Sequence, residues 1–139
     1  MRISKDIKPI QETDLKRLYD AVGWRHYTHH KAGLKAHLEA SLATFCAYQE
    51  DTLVGLVRVV GDGLSIVYVQ DLLVDPDYQR QGIGSALLKH ALQTFEHVRQ
   101  VLLLTDDTPT TRAFYEKHGL INVQKQRCVT YIKPLRGGL

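Results

Sequence analysis

Cysteine is scarce in this chain, with Cys46 and Cys128 the only two among 139 residues. So few, so far apart, exclude a disulfide-stapled scaffold and a cysteine-built metal framework. Both lie in strand-like apolar segments, where a free cysteine is expected to be a small buried hydrophobe. Long apolar runs are missing as well. None approaches the ~18 to 20 residues of a membrane span, and the first residues, MRISKDIKPIQ, lack the apolar centre of a secretory signal. The expectation is a soluble, cytoplasmic protein with no membrane partner. There is no Lys/Arg block and no basic stripe interleaved with aromatics; a net charge of +3 with seven histidines uncounted suits an anionic small molecule better than nucleic acid. Repeats, linkers and low-complexity segments are absent too.

What is present is an average globular composition, 44% apolar and 24% charged, long enough for one domain spanning residues 1–139. After a short edge strand, ETDLKRLYDAVGW sets Leu15, Leu18, Tyr19 and Val22 at helical spacing, with Thr13 as cap and Gly23 as stop. THHKAGLKAHLEASL aligns Leu34, Leu38 and Leu42 on one side of a second helix, weakened at Gly33. From Ala43 the period changes. ATFCAYQE and TLVGLVRVVGDG read as strands joined by a hairpin at Glu50-Asp51, and a turn at Gly61-Asp62-Gly63 leads into LSIVYVQDLLV. That stretch is nearly continuous in its apolarity and reads as a central strand covered on both faces. Ile83, Ala86, Leu87, Ala91 and Phe95 then share one helical face from Gly82 to about Glu96. VLLLT reads as a short buried strand, and TPTTRAFYEKHGL as a helix capped by Thr108, with Pro109 first and Gly119 at its end. INVQKQRCVTYIKP reads as closing strand material, broken near Lys125 to Arg127. The expected fold class is α+β, an α/β three-layer sandwich: a mixed, mostly antiparallel sheet with one β-α-β crossover and helices on both faces.

The junction YQRQGIGS, residues 78–85, places two glycines between a strand and a helix. A helix N-terminus offers backbone N–H groups without intrahelical partners and a dipole that favours an anion. Gly82 and Gly84 let a phosphate approach the main chain, and Arg80 adds a charged donor. A Walker A loop is excluded, because no G-x-x-x-x-G-K-[ST] string occurs. A dinucleotide fingerprint is excluded by Leu87 at its third small position and by chain length.

The segment VQDLLVDPDYQRQGIGSALLKHAL resembles the acyl-CoA-binding segment of the GNAT superfamily of N-acyltransferases: a strand, V-x-P-x-Y, Q/R-x-x-G-x-G/A and an amphipathic helix. Downstream, RAFYEKHGL resembles the family's F/L-Y-E-K-x-G-F/L element. The resemblance covers essentially the whole chain and is weakest over the first 45 residues. It implies an N-acetyltransferase using acetyl-CoA as cosubstrate, without a metal. Main-chain groups of Leu72, Leu73 and Val74 would pair with the pantetheine arm as a strand would, and the amides of Gln81, Gly82, Ile83, Gly84 and Ser85 would hold the pyrophosphate, flanked by Gln79 and Arg80. Tyr115, beside Phe114, would protonate the departing thiolate. Phe114 and Thr108 would lie against the cofactor. Thr108 stands where the family often has Asn, so a pantetheine contact and a plain helix cap are both open to it.

Transfer to an amine also requires a proton to leave the amine, since a lysine-like amine of pKa ~10.4 is only about one part in a thousand neutral near pH 7.4. Gln70 cannot take it usefully. Asp71 is the local candidate base, with a structural aspartate or a water wire as alternatives, and strand register decides which way it faces. By resemblance the region between the first two helices lines the acceptor cleft, making Trp24 and Tyr27, with Gln70, the substrate-side candidates. The clustered His26, His29 and His30 lack a carboxylate or cysteine to complete a metal site. A non-catalytic CoA-binding sensor and a ping-pong route through Cys46 or Cys128 are the rival readings. The acceptor is a small amine, an exposed lysine or a protein N-terminus, and a homodimer is a family-level expectation.

Overall fold

The computed structural model describes residues 1–135, which fall into two compact units, Met1–Leu104 and the segment from Thr105 onward. The first is organised on a five-stranded sheet in sequence order: β1 (Arg2–Ser4), β2 (Ala43–Gln49), β3 (Thr52–Gly61), β4 (Ile66–Val74) and β5 (Gln100–Leu103). Neighbours are antiparallel except β4 and β5, which run parallel. Between those two in sequence lies the helix α4 (Ile83–Thr94), as a parallel pair requires a crossover.

Three helices lie between β1 and β2: α1 (Glu12–Ala21), α2 (Arg25–Thr28) and α3 (Leu34–Ala40). Thr13 is not the cap of α1; the helix begins two residues earlier than that cap would set it, with Gln11 at the cap position and no side-chain bond there. Glu12 acts outward instead, its carboxylate accepting the amides of Leu34 and Lys35, so that the start of α1 caps the start of α3. Of the single second helix expected across residues 28–42, only α3 forms; α2 lies ahead of it and shares only Thr28 with that stretch. α3 starts only after Gly33, whose φ of +82° only glycine adopts readily, and Leu42 lies beyond α3, exposed.

Helices cover both faces of the sheet, and the α+β three-layer expectation holds. Against one face, Ile83, Leu87 and Ala91 of α4 pack on Phe45, Ala47, Val57, Val59, Val67 and Val69. Gly55 permits this approach: a Cβ there would lie 2.9 Å from the Leu73 carbonyl and 3.2 Å from Leu87 Cδ1. Against the other face, Leu15, Leu18 and Tyr19 of α1 and Leu34 and Leu38 of α3 meet Cys46, Leu56 and Leu73. Full burial of each such leucine is worth about 1.5–3 kcal/mol.

Strand β4 departs from the reading of a plain buried strand. Val59 pairs with Val69 but Arg58 pairs with Asp71, so Gln70 is an extra residue at a bulge. Before it, Val67 and Val69 face α4; after it, Leu72 and Val74 do. Asp71 and Leu73 are thereby turned toward α1. Gln70 itself is exposed, so the strand is not covered on both faces throughout. β5 is likewise half-buried rather than buried.

In the second unit, α5 (Pro109–Lys117) forms as its residues dictate. The Thr111 amide donates to Thr108 Oγ1 at 3.1 Å in a capping box, Pro109 is the first helical residue, and Gly119, at φ +86°, ends the helix. The strands expected over residues 121–134 do not form. A 3-10 turn (Val123–Gln126) is followed by unpaired chain, and Cys128 is exposed rather than buried. β-Branched composition specifies only a capacity for strand, which needs a neighbouring ladder to be realised. Among the described residues no helix is long and apolar enough to cross a membrane.

Candidate active site

The site begins where two strands part. β5 accompanies β4 only from Ile66 to Val69, whereas β3 continues beside it to Val74. From Gln70 to Val74 the far edge of β4 therefore has no strand beside it among the described residues. Parting starts at the bulge. Leu72, Leu73 and Val74, the expected pantetheine contacts, all lie on this open stretch, the kind of strand edge to which an extended ligand can add.

The open edge leads directly into a backbone cradle. Asp75 ends the strand and caps a 3-10 turn (Pro76–Tyr78), its carboxylate accepting the Asp77 amide at 3.0 Å. Gln79 folds back, Nε2 donating to the Val74 carbonyl at 3.2 Å. Arg80 then takes φ +63° and Gly82 φ +78°, and α4 follows at Ile83. Left-handed residues set close together are a backbone form from which anion-binding concavities are built, and a helix N-terminus, here that of α4, favours an anion through its dipole. The Gly82 position is open, nothing lying within 4 Å of where a Cβ would be, so its backbone conformation is what calls for glycine. Residues and chemistry here fit a pyrophosphate joined to an extended arm, which is the form of acetyl-CoA.

Beside the same strand, on the α1 face, lies a buried polar cluster. Asp71, 3% exposed, accepts from Arg58 Nε at 2.7 Å and from the Tyr19 hydroxyl at 2.9 Å, both on Oδ2. Arg58 Nη1 donates to Ser41 Oγ at 3.1 Å, and its guanidinium carbon lies 5.7 Å from the centre of the Tyr27 ring. Burial opposes the charge on Arg58, but the adjoining Asp71 carboxylate prevails and holds the guanidinium above its ordinary range. Burial and then the Asp71 charge push the Tyr19 phenol far above its usual value, and the Tyr27 phenol also rises for the same reasons.

Tyr27 accepts from Gln70 Nε2 at 3.0 Å and stacks on His26 with centroids 4.4 Å apart. Trp24 meets the edge of Tyr19 at 6.1 Å. His30 and His37 face one another at 4.7 Å. The substrate-side candidates Trp24, Tyr27 and Gln70 are thus gathered around Asp71. Among the described residues no three His, Cys, Asp or Glu side chains are grouped to hold a metal ion. Thr44, the cross-strand partner of Arg58, carries the one buried side-chain polar atom among the described residues without a hydrogen-bond partner.

Tyr115, Thr108 and Phe114 belong to the second unit. The Tyr115 phenol is pushed up by burial and drawn partly back by a hydrogen bond with Thr105, so it is a protonated donor at neutral pH. Phe114 packs edge-on to Tyr115 at 5.0 Å. Thr108 has the cap role described above. Cys46 is buried, and its thiol is pushed up to about 12 by that burial alone. Sequence reasoning missed Arg58, Tyr19, Ser41 and Thr44 as members of the cluster. A detectable signal existed for Arg58, a lone charge within the apolar run VGLVRVVG.

Three comparisons bear on this geometry. An acetyltransferase from Streptococcus pneumoniae described as a GNAT family protein is 41% identical, with a TM-score of 0.85 over 97% of this chain and 98% of that one. An uncharacterized N-acetyltransferase of the alga Gracilaria tenuistipitata is 28% identical over 114 residues, 78% of this chain and 60% of the relative. Streptothricin acetyltransferase A of Bacillus subtilis is 29% identical over 86 residues, 60% of this chain and 50% of the relative. The chain spans 32% to 66% of the length of the first curated relatives it matches. Residues 40–119, more than half of the chain, match the family model described as an acetyltransferase (GNAT) domain, and the chain accordingly belongs to the GNAT acetyltransferase family.

Proposed function

We propose that this chain acts as a single N-acetyltransferase domain that moves the acetyl group of acetyl-CoA to a primary amine by direct attack in a ternary complex. The observation carrying this reading is the open edge of β4 running into the left-handed Arg80 and Gly82 at the start of α4. Leu72 to Val74 hold the pantetheine arm through main-chain bonds. Backbone amides of Gln81 to Ser85 hold the pyrophosphate, with Gln79 and Arg80 beside it. Such fixing of the reactants can supply about 7–11 kcal/mol of the barrier.

Acetyl-CoA supplies an activated acyl carbon, and the remaining work falls to side chains. Tyr115 gives its proton to the leaving sulfur, a role supported by a phenol kept protonated by burial. Trp24, Tyr27 and Gln70 receive the acceptor. Asp71 already accepts from a guanidinium and a phenol, which favours an anchoring role for it; the amine proton leaves through water. Direct attack is favoured over an acyl-enzyme at Cys46 by the burial that raises its thiol pKa and leaves almost no thiolate near neutrality. The acceptor is a small amine, an exposed lysine or an N-terminus.

A thiol-release assay with acetyl-CoA over an amine and peptide panel tests the reading. Tyr115→Phe is expected to lower kcat at least ~100-fold with CoA affinity unchanged, and near-normal turnover would remove Tyr115 from the mechanism.

A further inference from the structure

Arg17, on α1, makes contacts at the residue where the cradle begins. Asp75 is 7% exposed and fixes the end of β4 in three ways: its N–H donates to the Val54 carbonyl at 2.8 Å, its carbonyl accepts the Tyr78 amide at 2.8 Å, and its Oδ1 accepts the Asp77 amide. The remaining oxygen, Oδ2, accepts from Arg17 Nη1 at 2.9 Å, while Arg17 Nη2 donates to the Leu53 carbonyl at 2.7 Å. One guanidinium therefore ties α1 to the backbone of β3 and to the residue from which the cradle departs.

A half-exposed ion pair alone would contribute little. Here the Arg17 side chain is 43% exposed, but the Asp75 side chain only 10%, and that carboxylate also caps the turn. Five residues on, Arg80 sits at φ +63°, a conformation that persists in a non-glycine residue only when its surroundings over-determine it. The cap, the Val54 bond and the Arg17 fork fix the turn that leads into it.

We propose that Arg17 is a positioning residue for acetyl-CoA, holding Asp75 and through it the backbone that presents residues 80–84 to the pyrophosphate. This rests on the proposed use of that backbone as the pyrophosphate cradle. The effect of Arg17 is therefore on the diphosphate end of the ligand and not on the acyl end.

The test compares binding of CoA and of S-acetylpantetheine, which lacks the diphosphate, by calorimetry, with turnover at saturating acetyl-CoA. Arg17→Met and Asp75→Asn are each expected to weaken CoA binding about tenfold or more, in keeping with the sensitivity of bound geometry to small displacements. The double variant should be no weaker than the worse single, because the two act as one unit. Arg17→Lys, which keeps the charge but not the fork, should recover part of the loss. S-Acetylpantetheine affinity and kcat should stay within about twofold of the parent. Unchanged CoA affinity in both single variants overturns the inference, as does an equal loss for both ligands, which would mark a general structural defect. Failure of the parent chain to bind CoA at all overturns the cradle reading and the inference with it.

Discussion

Replacing Asp71 by Asn separates an anchoring carboxylate from a catalytic one. In the parent, the Asp71 side chain is 2% exposed and that of Arg58 9%, with Nε and Oδ2 2.7 Å apart. Asparagine keeps the shape but leaves the guanidinium buried without a counter-charge, since arginine does not give up its proton. Breaking a buried pair from one side costs about 3–5 kcal/mol. At ~2.1 cal/mol/K of unfolding entropy per residue, each kcal/mol lowers Tm by roughly 3 °C in a chain of this size, so the expected fall is roughly 10–17 °C. Urea unfolding should show a lower midpoint at constant slope. Replacing both partners together, as Arg58→Met with Asp71→Leu, should restore most of the loss, because no charge is then stranded. On the folded Asp71→Asn protein, the dependence of kcat/KM on pH should keep its shape. A loss below about 1 kcal/mol would refute the stability argument. Disappearance of an acid limb that the parent shows would make Asp71 the base and refute the anchoring role.

Thr44→Val is expected to hold or raise stability, by up to about 1 kcal/mol, because it removes a buried hydroxyl without a partner in exchange for a methyl group of the same shape; a fall of more than 1 kcal/mol in urea unfolding would show that the hydroxyl is satisfied. Thiol titration of the native protein near pH 8 should label Cys128 rapidly and Cys46 only after denaturation, since burial pushes the Cys46 thiol up to about 12 while Cys128 is exposed. Two fast equivalents in the native state would contradict this.

The parts of the fold legible in the sequence are those set by local chemistry. Thr108-Pro109 and Gly119 bracket α5, Glu50-Asp51 closes a hairpin, and the apolar face from Ile83 to Ala91 finds the sheet. What escaped was decided at long range. Glu12 contributes to a helix start twenty-two residues away, which no local cap rule contains. Residues 121–134 have strand composition but no ladder, and composition is silent on partners. The candidate site divides the same way. The cradle was visible because glycine spacing and a strand-helix junction are local signals. The Arg58, Tyr19 and Asp71 cluster was not, since its members come from three elements and its existence turns on one bulge.

That bulge sets two lengths of chain against each other. Remove Gln70 and the remaining residues of β4 keep strict alternation, with Val67, Val69, Leu72 and Val74 all on one side; the strand would be more regular and would lose nothing from its core. The residue takes no part in either core cluster. Its presence coincides with the place where β5 leaves β4, so a single added position in the chain, whatever its side chain, marks the boundary between strand paired on both sides and strand paired on one. Substitution and deletion at Gln70 therefore address different properties: the first alters the side chain that donates to Tyr27, the second the bulge itself.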